Sequence, residues 1–334
     1  MIDFDESFFR KEVRCDFEIP ELMKHVWAAQ MEVLELVVAL CKKHNLQYFA
    51  DSGTLLGAVR HRGFIPWDDD IDICLKRADY NRFAAILKKE LPVGYVISGV
   101  FSEDKRLQRA EYAQQMRVIA EADHWDYALF LQTFHGYPFK EIGIDIFPFD
   151  YIPRDPELAS VQKSLVSAGI GVLRNWNQLV VSGELEDYLQ QLEMLWGVSI
   201  PRDDTANHFC LQMVDNLCSM FHEDEADELT NIIFYNTVRY RYKKEWMAGS
   251  ISVPFENISV EIPVEYDKCL TSCYGNYKQY VKFTSSHTYP YFKYQDVALL
   301  TKLKDLGFSG TLEEFCRQGA AGDIDMDLTD FWKR

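Results

Sequence analysis

The chain has 334 residues, of which 52 are Asp or Glu and 35 are Lys or Arg, so its formal net charge is −17. This excess of negative charge argues against a nucleic-acid-binding protein, because binding to a phosphate backbone depends on Lys and Arg. Apolar residues make up 48% of the chain, which excludes intrinsic disorder for most of it. The length favours one domain of moderate size with an added lobe.

The cysteines and the N-terminal residues bear on the cellular location. The eight cysteines are scattered without a Cys-x-x-Cys pair, which predicts a reducing compartment and no cysteine-based zinc site. The N-terminus lacks a basic segment followed by an apolar run, and no apolar run is long enough to span a bilayer. We therefore expect a cytoplasmic protein, at most in peripheral contact with the inner face of a membrane.

Helix and strand patterns alternate in the first 150 residues. Apolar spacing predicts a helix over 20–45, followed by a short strand that ends at Asp51 and then a helix or bent loop, TLLGAVRHRGF. DDDIDICL reads as a strand, and a second clear helix begins at Asp79. GYVISGV and EYAQQMRVIAE are rich in strand formers, and KEIGIDIFPFDYIP alternates like a strand around Asp145.

The remaining pattern is helical from Asp155 to about Trp246, then strand-like, and helical again near Tyr266. We therefore predict an α/β fold with a mixed sheet, divided into four segments. These segments are an N-terminal helical segment (1–45), a catalytic core (46–154), a helical lobe (155–249) and a C-terminal segment that completes the catalytic domain (250–334).

The strongest chemical signal is the acidic run that follows Trp67. On a strand, Asp68, Asp70 and Asp72 would share one face, so their carboxylates would lie close together. Like charges at such distances repel, and a divalent cation removes the repulsion. Oxygen ligands suit Mg²⁺ or Mn²⁺. Asp145 supplies one more carboxylate on a separate apolar strand.

Two other interpretations of this run compete with a metal site. An acidic run often only solvates a surface, but these aspartates alternate with isoleucine, as on a strand with a buried face. An EF-hand loop with Asp68, Asp70 and Asp72 at its first, third and fifth positions fails, because Ile73 stands where Gly is needed and Asp79 where Glu is needed.

Residues upstream of the acidic run could bind phosphate. Gly53 and Thr54 lie at a turn between a strand and a helix, where backbone N–H groups and a hydroxyl can hold a phosphate. Arg60 and Arg62 add positive charge in an otherwise acidic protein. A P-loop is absent, and both a simple chain-reversing turn and a solvated basic turn remain open as alternatives.

These residues, Ser52-GTLLGAVRHRGFIPWDDDIDI followed by GIDIFPFD, closely resemble the LicD family of phosphocholine transferases, which is related to the fukutin group. The likeness extends through LKRADYNRF and IDIFPFDYIP and returns in VPFENISVEIPVEYDKCLTSCYGNY, whereas 155–245 cannot be matched. The resemblance implies a nucleotidyltransferase-like fold. In that fold Gly53 and Thr54 take the place of the phosphate-binding turn.

The resemblance also implies an activity, namely transfer of a phospho-alcohol such as phosphocholine from a CDP-alcohol to a hydroxyl of a cell-surface glycan or its lipid-linked precursor, with release of CMP. Asp70 and Asp72 would be the paired metal ligands and Asp145 the third carboxylate, acting as a ligand or as the base. Asp68 would be a further ligand or a neighbour of the ligands. Arg60 and Arg62 would offset charge on the departing CMP.

Two competing functions remain open at this stage. A GT-A glycosyltransferase also binds a metal through Asp-x-Asp, but the upstream Gly53 and Thr54 and the isolated Asp145 favour the first interpretation. A catalytically inactive binding protein of the same fold is the other alternative. We also expect at least one of Tyr289, Tyr291 and Tyr294 to line the active-site cleft, whereas His287 has no assigned role.

Overall fold

The computed structural model describes residues 1–108, 115–231, 240–282 and 289–332. Its α-helices are α1 (Glu21–Lys43), α2 (Ser52–His61), α3 (Arg77–Glu90), α4 (Tyr127–Thr133), α5 (Pro156–Arg174), α6 (Trp176–Ser182), α7 (Leu185–Trp196), α8 (Ala206–Cys218), α9 (Tyr266–Tyr274), α10 (Gln295–Asp305) and α11 (Leu312–Ala321). Its strands are β1 (Glu12–Arg14), β2 (Phe17–Ile19), β3 (Tyr48–Ala50), β4 (Asp72–Lys76), β5 (Tyr95–Ser98), β6 (Met116–Glu121), β7 (Glu141–Pro153), β8 (Ala226–Asn231), β9 (Arg241–Lys243), β10 (Ser250–Phe255) and β11 (Ile258–Pro263).

A seven-stranded mixed sheet forms the centre of the fold. Five strands lie side by side in the order β3, β4, β7, β6, β5, and β8 joins β7 and carries β9. The pair β4 and β7 is parallel, and the other pairs are antiparallel. The predicted α/β fold with a mixed sheet is therefore confirmed.

Helix α1 confirms the helix predicted over 20–45. Pro20 precedes its first turn, where a residue without an N–H costs no intrahelical hydrogen bond. Most of the helix is buried, including Trp27, Met31 and Leu34, which have no exposed surface. This burial explains why apolar residues occupy more than one face of α1.

The strand predicted from Asp68 begins only at Asp72, so that prediction was wrong for residues 68–71. These residues form an irregular loop, which begins after a turn in which the N–H of Asp68 donates to the carbonyl of Ile65 at 2.9 Å. Side chains of α1 bind the next carbonyls, Trp27 Nε1 that of Asp68 at 3.0 Å and Gln30 Nε2 that of Asp69 at 2.8 Å. These bonds satisfy the backbone without strand pairing.

Of the helical stretch expected as far as Trp246, the last α-helix among the described residues ends at Cys218. Beyond it lie β8 and β9, which join the central sheet through β7. The sequence of β8, Ala-Asp-Glu-Leu-Thr-Asn, buries Leu229, Thr230 and Asn231 although two of the three are polar. Polar residues at buried positions conceal the alternation by which a strand is recognised.

Helices α5 to α8 pack around their own group of buried apolar side chains. A buried ion-pair network connects this group to the sheet. Arg77, the first residue of α3, donates to Asp150 of β7 at 2.6 Å and to Asp215 of α8 at 2.8 Å. All three side chains are almost fully buried. The boundaries predicted at 154/155 and 249/250 stay predictions.

The N-terminal end of the chain contains structure that the patterns did not indicate, whereas the strand-like pattern after Trp246 is confirmed. The N-terminal segment carries the hairpin of β1 and β2 before α1. The C-terminal segment begins with the hairpin of β10 and β11, followed by α9, which starts at Tyr266 as expected. Among the described helices, none combines the length and the apolar character that crossing a bilayer requires.

Candidate active site

Strand pairing brings the predicted carboxylates together. Asp72 begins β4, and Asp145 lies directly opposite it on the parallel strand β7. The N–H of Asp145 donates to the carbonyl of Ile71 at 2.9 Å, which continues this pairing by one residue. Two carboxylates from distant parts of the chain therefore project from adjacent strands at the same level of the sheet.

The turn before β4 adds further carboxylates. Asp68, Asp69 and Asp70 each present an oxygen, and these oxygens lie within 4.8 Å of one another. Asp69 is 1% exposed, and one of its oxygens accepts the N–H of Tyr291 at 2.7 Å. Asp69 therefore attaches the C-terminal segment to the turn, while Asp68 and Asp70 are partly exposed.

Asp72 lies in strongly negative surroundings. Burial raises its pKa well above the ordinary value, and the charges of Asp70, Asp145, Asp51 and Asp68 raise it further. Carboxylates in such proximity favour a bound proton or a bound cation. The oxygen-only donor set matches the ligands that Mg²⁺ and Mn²⁺ prefer.

Asp51 belongs to this site, although sequence analysis did not select it. Its N–H donates to the carbonyl of Asp72 at 3.0 Å, and its carboxylate accepts Asn231 Nδ2 at 3.2 Å. Burial raises the pKa of Asp51 to about 6. Asn231 lies at the end of β8, a strand that the sequence pattern did not reveal.

Gly53 and Thr54 lie in the first turn of α2, beside the carboxylates. The hydroxyl oxygen of Thr54 accepts the N–H of Asp72 at 2.8 Å, so its own proton can still be donated to a ligand. A Cβ at Gly53 would lie 2.5 Å from Asp68 Oδ2, so a larger residue here would displace the side chain of Asp68. The helix start also carries positive potential.

Arg60 and Arg62 take different positions at the end of α2. Arg60 donates to the carbonyl of Tyr277 at 3.0 Å, and its guanidinium lies 4.9 Å from the ring centre of Tyr280. Arg62 is exposed, with a φ of 56° at the end of the helix. Arg60 thus contacts the C-terminal segment, and the predicted contact of both residues with phosphate stays a prediction.

Among the described residues, Arg117 is a cation that lies beside the carboxylates. It pairs with Asp145 across β6 and β7, and its Nε lies 2.9 Å from Asp145 Oδ1. Burial lowers the pKa of Arg117, but the charges of Asp145 and Glu141 outweigh this effect and raise it. Sequence analysis missed Arg117, because nothing near it in the chain indicates its partner.

Aromatic residues of the C-terminal segment approach the acidic turn. The hydroxyl of Tyr291 lies 2.6 Å from that of Tyr137, and its ring is partly buried. Burial raises the pKa of Tyr289, as do the charges of Asp69 and Asp68. Tyr294 is 78% exposed. The predicted role of these rings in a cleft stays a prediction, and His287 lies outside the described residues.

Comparison with known proteins identifies the region that contains these carboxylates. Residues 45–158 match the family model described as LicD/FKTN/FKRP, nucleotidyltransferase domain. Over 128 residues the chain is 33% identical to the lipopolysaccharide cholinephosphotransferase LicD of Haemophilus influenzae, covering 38% of this chain and 44% of that protein.

An uncharacterized protein of Rickettsia prowazekii is 32% identical over 130 residues, which cover 35% of this chain and 47% of that protein. The chain therefore spans less than half the length of either relative. The matched region of 45–158 holds Asp51, Gly53, Asp72, Arg117 and Asp145. Over these residues, the chain is similar to the nucleotidyltransferase domain of the LicD family.

Proposed function

We propose that this protein transfers a phospho-alcohol, phosphocholine or a similar group, from a CDP-alcohol to a hydroxyl of a cell-surface glycan or its lipid-linked precursor, releasing CMP. The observation that carries the proposal is the placement of Asp72 and Asp145 directly opposite each other on parallel strands. The similarity to a lipopolysaccharide cholinephosphotransferase supports the substrate class. A cytoplasmic protein at the inner face of a membrane could reach a lipid-linked acceptor.

The donor set fits a divalent cation, Mg²⁺ or Mn²⁺. Asp70, Asp72 and Asp145 would hold the ion, with Asp68 beside them. The repulsion that raises the pKa of Asp72 is the physical reason for this assignment, because a cation relieves it in the folded state. When bound, such an ion neutralises negative charge on the pyrophosphate of the donor.

The protein itself would mainly position the reactants and balance their charge, which is what phosphoryl transfer requires of an enzyme. The first turn of α2 offers backbone N–H groups at Gly53 and the hydroxyl proton of Thr54 to a phosphate oxygen. Arg117 adds a positively charged guanidinium beside Asp145. These contacts would orient the phosphate for attack by the acceptor hydroxyl.

Two roles fit Asp145, that of a metal ligand and that of the base which accepts the acceptor's proton. The pH dependence of Asp145→Asn separates them. If Asp145 is the base, the residual activity of the variant should lose the fall in kcat/KM at acidic pH that protonation of the base causes. If Asp145 is only a ligand, the residual activity should keep that fall and require more Mg²⁺.

The function is tested by measuring nucleotide release with Mg²⁺ from CDP-choline, CDP-ethanolamine, CDP-glycerol, CDP-ribitol and UDP-sugars in the presence of a lipopolysaccharide acceptor. We expect CMP release from at least one CDP-alcohol. Asp70→Asn and Asp72→Asn should each reduce it roughly a hundredfold or more, since metal stabilisation of transferring phosphate is worth several kcal/mol. Circular dichroism should show that both variants fold.

Asp323→Asn, at an exposed position, is the matched control and should retain full activity. Release of UDP from a UDP-sugar in place of CMP would support the glycosyltransferase alternative. Full CMP release by both Asp70→Asn and Asp72→Asn would remove the carboxylates from the mechanism. A folded protein that binds a donor without any release would be the inactive alternative.

A further inference from the structure

A second group of potential metal ligands lies where β6 ends. Glu121 is the last residue of β6, and Asp123 and His124 follow in a 3-10 turn over Ala122–His124. Each offers one ligand atom, and the three atoms lie within 4.8 Å of one another. Glu121 is four residues along β6 from Arg117, about 13 Å at the usual rise of a strand. This group is therefore separate from the carboxylates of the candidate active site.

The spacing of Glu121 and His124 suits two ligands of one ion. Glu121 Oε2 and His124 Nδ1 lie 3.5 Å apart, which is longer than a normal hydrogen bond. Zinc binds imidazole nitrogen and carboxylate oxygen at about 2.0–2.2 Å in tetrahedral geometry, which separates two ligand atoms by about 3.3–3.6 Å. The observed distance falls within this interval.

Two carboxylate oxygens of the group are buried, and neither has a hydrogen bond to any residue in the described ranges. They are Oε2 of Glu121, whose side chain is 4% exposed, and Oδ1 of Asp123. A buried carboxylate oxygen without a hydrogen bond is costly, and such atoms are rare in folded proteins. A cation bound between Glu121 and Asp123 would remove this cost.

Two basic residues border the group without occupying these oxygens at hydrogen-bonding distance. Lys140 Nζ lies 3.1 Å from the other oxygen of Asp123, Oδ2. Arg106 donates to Asp104 at 2.6 Å and remains 3.6 Å from Glu121 Oε2. Both cations offset the negative charge of the group, and the two buried oxygens can still accept an ion.

We propose that Glu121, Asp123 and His124 form a zinc site, with water in the fourth position. The histidine nitrogen selects for Zn²⁺, since Mg²⁺ takes oxygen ligands in octahedral geometry. The ion ties the end of β6 to the turn that follows it. This site is independent of the proposed transferase activity, which uses Asp72 and Asp145.

The test is titration of the full chain with ZnCl₂ by isothermal calorimetry in excess MgCl₂, which saturates the oxygen-only site. Wild type should bind one Zn²⁺ with high affinity. His124→Ala should weaken binding at least about tenfold, and Asp123→Asn, a smaller change, should also weaken it. His44→Ala is the matched control. His44 Nε2 also lies near a carboxylate, at 3.0 Å from Glu90. His44 nevertheless belongs to no group of three potential ligands among the described residues.

His44→Ala and Asp72→Asn should bind zinc as wild type does, and circular dichroism should show that each variant folds. The proposal is overturned if wild type does not bind zinc, if both His124→Ala and Asp123→Asn bind it with unchanged affinity, or if Asp72→Asn abolishes binding. The last result would place the ion at the candidate active site. Failure of CMP release would leave the zinc measurement unaffected, so the two proposals are judged separately.

Discussion

The buried charge of Asp51 opposes folding at neutral pH, and Asp51→Asn should remove that opposition. Asp51 is 2% exposed, and burial raises its pKa from 3.8 to about 6, although hydrogen bonds from Ser52 and Asn231 act in the other direction. Between these two values the folded state binds more protons than the unfolded chain. The free energy of unfolding therefore falls as the pH rises from 3.8 to about 6 and is constant above it.

The size of the effect follows from the same two pKa values. Their difference corresponds to about 3 kcal/mol, at about 1.4 kcal/mol for each pH unit in this interval. Asparagine keeps an oxygen that can accept Asn231 Nδ2, so the substitution removes the charge and preserves the hydrogen bond. Asp51→Asn should thus be up to about 3 kcal/mol more stable than wild type above pH 6.

Urea unfolding at pH 5, 6, 7 and 8 in EDTA measures this prediction, because EDTA prevents a cation from masking the charge. The stability gain of Asp51→Asn should increase from pH 5 to 6 and then level off. Asp323→Asn, an exposed substitution of the same kind, should show no such trend. A gain that is independent of pH, or a loss of stability at every pH, would refute the electrostatic reasoning.

Three further predictions concern the same region. Mg²⁺ at about a hundred times its Kd should raise the free energy of unfolding of wild type by roughly 2.7 kcal/mol, as measured by urea unfolding. The same Mg²⁺ should not stabilise Asp72→Asn. If Mg²⁺ does not change the stability of wild type, the metal site is contradicted. Tyr291→Phe loses the buried contact with the hydroxyl of Tyr137 and should cost about 1 kcal/mol, whereas unchanged stability would show that the contact is dispensable. The hydroxyl of Tyr289 is buried without a hydrogen bond to any described residue, so Tyr289→Phe should not lower stability. A raised KM of this variant for the CDP-alcohol would place the hydroxyl in the substrate cleft, and an unchanged KM would exclude that position.

The principal carboxylates were predictable because the chain repeats one pattern twice. Asp72 and Asp145 each lie among isoleucines, so a charged side chain stands out in a segment that is otherwise buried. Local alternation indicated both strands around them. That the two residues lie opposite each other depends on the parallel register of β4 and β7, which no local pattern contains.

Other parts of the site could not be predicted from the sequence, for identifiable reasons. The alternation of Asp with Ile suggested that strand β4 starts at Asp68. The irregular backbone before Asp72, whose carbonyls accept hydrogen bonds from Trp27 and Gln30, shows the same alternation. Asn231 reaches Asp51 from a strand with a polar sequence, and Arg117 meets Asp145 across β6 and β7. Contacts between distant segments arise only when the sheet assembles.

The ion pairs of Arg77 restrict how freely the helices that follow the sheet can be exchanged between related proteins. Arg77 lies in the interior and binds carboxylates on both sides, Asp150 within the sheet and Asp215 on α8. A chimera that receives a foreign helix without an acidic residue in place of Asp215 keeps the buried guanidinium but loses one of its two carboxylate partners among the described residues. Only Asp150 then offsets the charge of the buried guanidinium, and the loss of its second partner destabilises the graft. A viable graft therefore carries that carboxylate with it or replaces Arg77 at the same time.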